Sequence, residues 1–243
     1  MSAGYQKDLA FIHDVGFGFF ATKAAPNLLR ILHQYRVKKG LVVDLGCGSG
    51  IWAQQLVGAG YDVLGIDFSP AMIKLARKRE PKARFQTGSF LTAQLPECDV
   101  VTSLGECFNY LFDQSNGKKR LSELFRRVFE ALRPGGLFIF DMIGPGHERG
   151  ANPRRGFWEG QDWAILVQVS ENTKKRELVR EIVTFRKTGN LYRRSVESHY
   201  LRLYPSSEIA RQLRQAGFRV RVLRGYGDFR FTGAHSGFLA RKP

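Results

Sequence analysis

Through the first 143 residues, short apolar runs alternate with longer stretches whose apolar side chains recur every three to four positions. That alternation is the signature of βαβ units feeding a parallel sheet. The runs predict strands over Leu41 to Leu45, Val63 to Asp67, Arg84 to Thr87, Asp99 to Ser103 and Leu137 to Met142, with helices between them. The clearest helix runs from Lys118 to Leu132, where apolar residues at 121, 124, 125, 128, 129 and 132 form one stripe that stops at Arg133-Pro134-Gly135-Gly136. Two further helices, Tyr5 to Asp14 and Pro26 to Tyr35, are expected before the first strand.

Beyond residue 143 the period changes. Trp163, Ile165, Val167 and Val169 recur at every second position, as do Val179, Glu181, Val183 and Phe185, and Tyr192 to Tyr204 continues the pattern. This predicts an antiparallel meander with turns at Glu171-Asn172 and Thr188-Gly189-Asn190. Pro205-Ser206-Ser207-Glu208 then opens a helix that ends at Ala216-Gly217, and Phe218 to Leu223 and Gly237 to Ala240 return as the last two strands. The expected architecture is α/β: a Rossmann-like, doubly wound, mostly parallel seven-stranded sheet with an inserted antiparallel β cap. One domain spans 1–243, with an N-terminal helical cap at 1–39, a core at 40–143, the β insertion at 151–204, and the last helix and strands at 205–243.

Bulk properties narrow the picture. A chain of 243 residues supports one sizeable core, and with 43% hydrophobic residues it reads as an ordinary globular domain. No apolar run approaches the ~18 to 20 residues of a membrane span. Met1 to Leu9 has neither a basic region nor an apolar one, so the expected location is the cytoplasm. Cys47, Cys98 and Cys107 show no close metal-binding spacing, which predicts free thiols and no metal site. The net charge is +16, and residues 144–243 hold most of it, with 20 Lys/Arg against 9 Asp/Glu.

The candidate chemistry begins at Val42-Val43-Asp44-Leu45-Gly46-Cys47-Gly48-Ser49-Gly50, a buried strand running into a glycine-rich turn and then a helix near Ile51. Small residues there let backbone approach a ligand, and the helix start offers unpaired N–H groups. A dinucleotide loop of the GxGxxG type would need glycine where Ile51 stands, which counts against NAD or FAD. The next strand ends at Asp67, 21 residues after Gly46, where a ribose-binding carboxylate belongs. The alternative role for Asp67, a cap for the following helix, is disfavoured because Ser69 before Pro70 is the better cap.

These residues resemble the class I S-adenosylmethionine-dependent methyltransferases, in the nucleotide loop Asp44 to Gly50 and in the ribose acid Asp67. Cys98-Asp99-Val100-Val101 is similar to that family's fourth strand, and Ala131-Leu132-Arg133-Pro134-Gly135-Gly136 to the turn opening its fifth. The resemblance implies S-adenosylmethionine as cofactor and S-adenosylhomocysteine as product. It also implies that Asp44, Gly46, Cys47, Gly48 and Gly50 shape the methionine pocket, that Asp67 and Phe68 hold ribose and adenine, that Gly88-Ser89-Phe90 borders the adenine edge, and that Ser103 lies beside the site. Many members carry an acid next to the adenine amino group, and here the matching position is Ser89.

Methyl transfer is an in-line displacement, so the protein mainly positions an acceptor and excludes water, and a base is needed only when the acceptor loses a proton. The stretch Ser103 to Tyr110 lacks the Asn/Asp-Pro-Pro-aromatic signature of amine methylation in nucleic acids, and Cys107 has no preceding proline as a pyrimidine-attacking cysteine would. The N-terminal helix and the meander resemble the caps of small-molecule members, including amino-sugar N-methyltransferases. A small-molecule acceptor is therefore expected, its O, N or C atom left open. His13 and His199 are the candidate catalytic residues, with Tyr5, Glu197 and Tyr200 beside them in the cap. The alternatives are an RNA methyltransferase using Arg154-Arg155, Lys174-Lys175-Arg176 and Arg193-Arg194, or a non-catalytic S-adenosylmethionine-binding protein. The oligomeric state is not readable from the sequence.

Overall fold

The computed structural model describes residues 4–113, 117–148 and 153–243. The start of the N-terminal cap and the expected insertion boundary at 151 lie outside these residues. Two helices, α1 (Lys7–Gly16) and α2 (Phe19–Gln34), precede the core. The core alternates β1 (Leu41–Leu45), α3 (Ile51–Gly58), β2 (Asp62–Asp67), α4 (Pro70–Arg79), β3 (Arg84–Thr87), β4 (Cys98–Ser103), α5 (Lys118–Ala131) and β5 (Leu132–Ile143). Four long strands follow: β6 (Arg154–Gly160), β7 (Trp163–Asn172), β8 (Glu177–Thr188) and β9 (Leu191–Arg202). The chain then returns through α6 (Ser206–Gln215), β10 (Arg219–Leu223), the two-residue strands β11 (Gly225–Tyr226) and β12 (Phe229–Arg230), and β13 (His235–Arg241).

The main sheet has seven strands in the order β10-β13-β5-β4-β1-β2-β3. β13 runs antiparallel to both neighbours and the other pairings are parallel. The fold is therefore the Rossmann-like one expected, with helices on both faces. One apolar layer joins Leu124, Phe125, Phe138, Phe140 and Leu213 on the α5 and α6 side. The other joins Leu28, Leu32, Trp52, Ile73 and Ile139 on the side of α2, α3 and α4. Strand order reverses between β1 and β4, so the carboxyl ends of these strands diverge and leave a crevice, the place where such sheets bind ligands. No helix among the described residues is long and apolar enough to cross a membrane.

The second sheet, β6-β7-β8-β9, is antiparallel throughout. Its inner face packs Ile165 and Ile182 against Leu9 and Ile12 of α1. It also packs Val169, Leu178 and Leu201 against Tyr110 and Ile143. A backbone bridge pairs Tyr110 with Leu201, and Leu111 N–H donates to the Tyr200 carbonyl at 2.8 Å, so the segment after β4 is stitched to this sheet.

Four local expectations are corrected. α2 begins at Phe19, and Pro26 lies inside it with its ring exposed, because burial of Ala24, Ala25, Leu28 and Leu32 on one stripe outweighs the one hydrogen bond that proline forgoes. β6 was not foreseen: its residues are mostly exposed, so they lack the half-buried alternation that marks a strand. The first hairpin turn lies at 173–176, two residues past the expected Glu171-Asn172, with Asn172 Oδ1 accepting from Lys175 N–H at 3.0 Å. β5 starts five residues early, through a register shift against β4 between Cys98 and Val100.

The N-terminal segment is tied down by side chains of the second sheet. Glu197, 5% exposed on β9, accepts Tyr5 N–H at 2.7 Å and Gln6 N–H at 2.9 Å, two donors at the start of α1 that the helix itself cannot satisfy. Arg193 adds a two-pronged pair to Asp8 at 2.5 and 2.6 Å. Glu197→Ala is expected to lower global stability by about 1–3 kcal/mol and to speed amide exchange at Tyr5 and Gln6 at least tenfold more than in β1 or β4. Hydrogen exchange read by mass spectrometry tests this, and uniform exchange across both regions would contradict it.

Candidate functional site

The crevice at the ends of β1, β2 and β4 is a cavity of about 1100 Å³ including its open mouth. Its floor is the glycine-rich turn. Gly46, Gly48 and Gly50 all have left-handed φ values, of 72°, 53° and 77°, which is why the turn needs glycine. A Cβ at Gly46 would stand 2.5 Å from Cys107 Sγ, whereas one at Gly48 would meet nothing within 4 Å, so Gly48 presents bare backbone.

Two carboxylates face this floor from neighbouring strands. Asp67 Oδ2 accepts Gly48 N–H and its Oδ1 accepts Ser69 N–H, both at 2.8 Å, so it clamps the turn to the start of α4. Ser69 Oγ is the helix cap, accepting Met72 N–H at 3.2 Å. Burial raises the Asp67 pKa from its ordinary value, and the two backbone hydrogen bonds oppose it. Asp44, 2% exposed on β1, accepts from Thr102 Oγ1 at 2.7 Å, and Trp52 Nε1 donates to the same hydroxyl at 3.2 Å. Burial pushes Asp44 up to about 7, helped by the charge of Asp67 and opposed by the Thr102 bond.

The loop after β4 is held from below. Asp141, fully buried on β5, accepts Gly105 N–H at 3.0 Å, Glu106 N–H at 2.8 Å and a donor bond from His235 Nε2 at 2.7 Å. Glu106, at φ 56°, pairs with Arg180 at 2.5 Å, and Arg180 also donates to Tyr110 OH at 2.6 Å. Cys107 Sγ faces the Leu104 carbonyl at 3.1 Å, and burial pushes its thiol well above the usual range, which makes it a poor nucleophile.

The cavity brings together Asp44, Gly46, Cys47, Gly48, Asp67, Phe68, Ser89 and Phe90 with His13 and Tyr5 from the N-terminal segment. Three expected residues do not reach its surface. Gly50 caps α3 over Ala76, and Ser103 donates to the Leu45 carbonyl at 2.7 Å within the sheet. His199, 1% exposed, lies behind Tyr5, Tyr110 and Phe112, with ring centroids at 5.0, 5.8 and 4.8 Å. Its Nε2 donates to Glu197 at 3.0 Å, and its buried Nδ1 has no partner among the described residues. His13 stands edge-on to Tyr5 at 5.1 Å, and burial lowers its pKa to about 4, so it is neutral at physiological pH. Tyr200 is 51% exposed, away from this group.

Asp113 and Phe17 are among the lining residues that escaped the sequence reading. Ser89 Oγ donates to Asp113 Oδ2 at 2.6 Å, which brings a third carboxylate to the cavity from the segment after Tyr110. Phe17 joins from the end of α1. The sequence carries no local mark of either, because both arrive through contacts between distant segments.

Comparison with known proteins agrees with this geometry. Residues 42–136 match a family described as a methyltransferase domain. The chain is 27% identical over 200 residues to the Bacillus subtilis methyltransferase YqeM, covering 79% of this chain and 78% of that protein. Two solved structures share the fold across nearly the whole chain. An S-adenosylmethionine-dependent methyltransferase from Clostridium acetobutylicum superposes with a TM-score of 0.81 at 18% identity, covering 96% of this chain and 97% of that one. The sugar N-methyltransferase KedS8 from a Streptoalloteichus species superposes with a TM-score of 0.80 at 18% identity, covering 100% and 96%.

The turn itself yields a stability test. Gly46→Ala combines a left-handed φ with the steric conflict at Cys107, and is expected to cost about 1–3 kcal/mol, whereas Gly48→Ala should cost about 1 kcal/mol from backbone strain alone. Urea unfolding midpoints measure both, and equal losses would mean that the Cys107 contact carries no weight.

Proposed function

We propose, for a chain that belongs to the class I S-adenosylmethionine-dependent methyltransferases, that it transfers the methyl group of S-adenosylmethionine to a small-molecule acceptor. The acceptor would sit beneath α1 and the second sheet. The observation that carries this reading is enclosure. The N-terminal segment is fastened across the cavity by Tyr5 N–H to Glu197 and by Ser69 Oγ to the Tyr5 carbonyl at 2.7 Å, which leaves a pocket rather than an open trough.

The residues present suit the cofactor. Asp44 and Asp67 offer carboxylates to a ligand that is cationic at its ammonium and sulfonium, and Gly48 exposes bare backbone where the ligand must lie close. In this reading Asp44, Gly46 and Gly48 hold the methionine part, Asp67 the ribose, and Phe68, Ser89 and Phe90 the adenine. When bound, the cofactor supplies a methyl group activated by the sulfonium. The chain's own contribution is placement and exclusion of water. Neutral His13 accepts a hydrogen bond from an acceptor N–H or O–H and so orients its lone pair. With a pKa near 4 it does not keep a proton at neutral pH. His199 is a positioning residue that acts through Glu197 and Tyr5.

Similarity to a sugar N-methyltransferase supports a small acceptor over RNA. So does the use of the basic residues. Arg154 pairs with Glu148 at 2.6 Å, Arg176 with Glu208 at 3.4 Å and Arg193 with Asp8, so three of the seven clustered cations that could serve RNA already have acidic partners within the chain.

Calorimetry should detect S-adenosylmethionine and S-adenosylhomocysteine binding and no NAD binding. Filter binding to bulk RNA across a salt series separates the alternatives, since an RNA enzyme neutralising about five phosphates loses affinity steeply with salt. Methyl incorporation into RNA with tight binding at physiological salt would overturn the small-molecule reading.

The Asp44 shift gives a pH test. A ligand ammonium favours the ionised carboxylate, so below about pH 7 binding must first remove a proton from Asp44. S-adenosylhomocysteine affinity should therefore fall by about tenfold per pH unit between 7 and 5.5 and stay level from 7 to 8. Asp44→Asn should bind weakly and without this slope. A slope unchanged in that variant would assign the titration elsewhere.

A further inference from the structure

The second sheet presents two faces, and the chain packs its own helix and core against one of them. Side chains alternate along each strand, so Ile165, Val169, Leu178 and Ile182 point inward while Leu166, Val183 and their neighbours point away. An antiparallel sheet with one packed face turns polar residues to water on the other. Here the outer face carries an apolar row instead. Phe157 of β6 pairs with Leu166 of β7, Leu166 with Val183 of β8, and Val183 with Val196 of β9, so four apolar side chains stand abreast across all four strands. Phe157 is 57%, Leu166 43% and Val196 51% exposed, and Val183 is half-buried among them. A contiguous exposed row of this kind marks an interaction surface rather than scattered apolar residues.

The rows on either side say what covers it. On one side stand Glu159, Ala164, Phe185 and Arg194, and on the other Arg155, Gln168, Glu181 and Ser198. Two acids thus face two bases on a chain whose net charge is +16, so the excess charge is kept off this face. Arg155 and Glu181 are joined through Gln168, with 2.9 Å bonds on each side. Glu159 and Arg194 stand at opposite ends of their row, about 14 Å apart at three strand spacings. Neither has an ionic partner among the described residues.

Two-fold symmetry supplies the missing partners. With a second copy laid face to face, its two-fold axis along the strands between β7 and β8, β6 lies over β9 and β7 over β8. Phe157 then meets Val196, Leu166 meets Val183, Glu159 meets Arg194 and Gln168 meets Glu181, each contact made twice and no like charges opposed. The usual rotation of about 30° between aligned sheets displaces the row ends by only about 4 Å, within reach of Glu and Arg side chains. A lipid surface calls for basic residues around an apolar face, whereas Glu159 and Glu181 stand here.

We infer that a second copy of the chain covers this face, giving a two-fold dimer in which the two β insertions pack against each other and each cavity lies on the far side of its own sheet.

Sedimentation equilibrium tests it, at ~0.15 M salt so that repulsion between two basic chains is screened beyond about 8 Å. The parent should sediment as a dimer of the 27.6 kDa chain. Leu166→Asp should raise the dimer Kd about 100-fold. Glu159→Arg alone and Arg194→Glu alone should each raise it about tenfold, and an equimolar mixture of the two should dimerise close to the parent value, because the mixed pair opposes only unlike charges at both ends. If Leu166→Asp fails to fold, the charge variants decide the matter by themselves. A parent that stays monomeric at high micromolar concentration, a dimer indifferent to Leu166→Asp, single charge variants that dimerise like the parent, or single variants that stay apart when mixed would each overturn the inference. A monomeric parent that cosediments with anionic lipid vesicles would overturn it too, and would assign the face to a membrane.

Discussion

A carboxylate at the end of a parallel strand has to find donors once it is buried, and the way Asp67 finds them organises the site. One oxygen takes Gly48 N–H and the other takes Ser69 N–H, which fixes the glycine turn relative to α4. Ser69 passes the constraint on, its hydroxyl capping α4 and donating to the Tyr5 carbonyl. Tyr5 N–H continues it to Glu197, and Glu197 to His199. A single run of hydrogen bonds thus leads from the centre of the main sheet, through the N-terminal segment, into the second sheet.

The parts legible in the sequence are those that repeat locally. The βαβ core, its glycine turn and the acid at Asp67 declare themselves through period, spacing and residue type, and the last helix and strands through clear punctuation. What failed to show depends on contacts between distant segments. Pro26 looked like a helix start until the buried stripe from Ala24 to Leu32 required the helix to begin earlier. Ser103 was expected beside the cavity because it ends β4, but its hydroxyl is drawn to the Leu45 carbonyl inside the sheet. The latch between Tyr5 and Glu197 joins residues 192 apart, and no local pattern announces it.

Charge is distributed in opposition. The surface carries the excess of Lys and Arg, while the cavity collects carboxylates whose ionisation burial opposes. A strongly basic protein with an acidic pocket repels cationic metabolites at long range and stabilises them once bound, so association is slowed and the bound state is favoured. The proposed cofactor, whose own charges alternate, with a carboxylate beside its ammonium and sulfonium, would feel little of the outer repulsion and all of the inner attraction. Basicity is thus no argument for a nucleic-acid substrate in this fold.

In the proposed reading enclosure also has to be reversible, because an acceptor cannot enter a pocket that never opens. The structure meets this by closing the pocket with polar contacts more than with packing. Among the described residues, Leu9, Ile12, Ile165 and Ile182 form the fully buried part of the contact between α1 and the second sheet, with Phe11, Phe17 and Trp163 half-buried around it, a cluster smaller than either layer of the core. Tyr5 itself sits at φ 55°, a left-handed conformation that costs an aromatic residue about 1–2 kcal/mol and persists only while Glu197, Ser69 and Tyr110 hold it. Stored strain and a thin apolar contact together place the N-terminal segment at the low-stability end of the molecule. The main sheet, packed on both faces, carries the glycine turn and its carboxylates. The division of labour follows from where apolar area is abundant and where it is scarce.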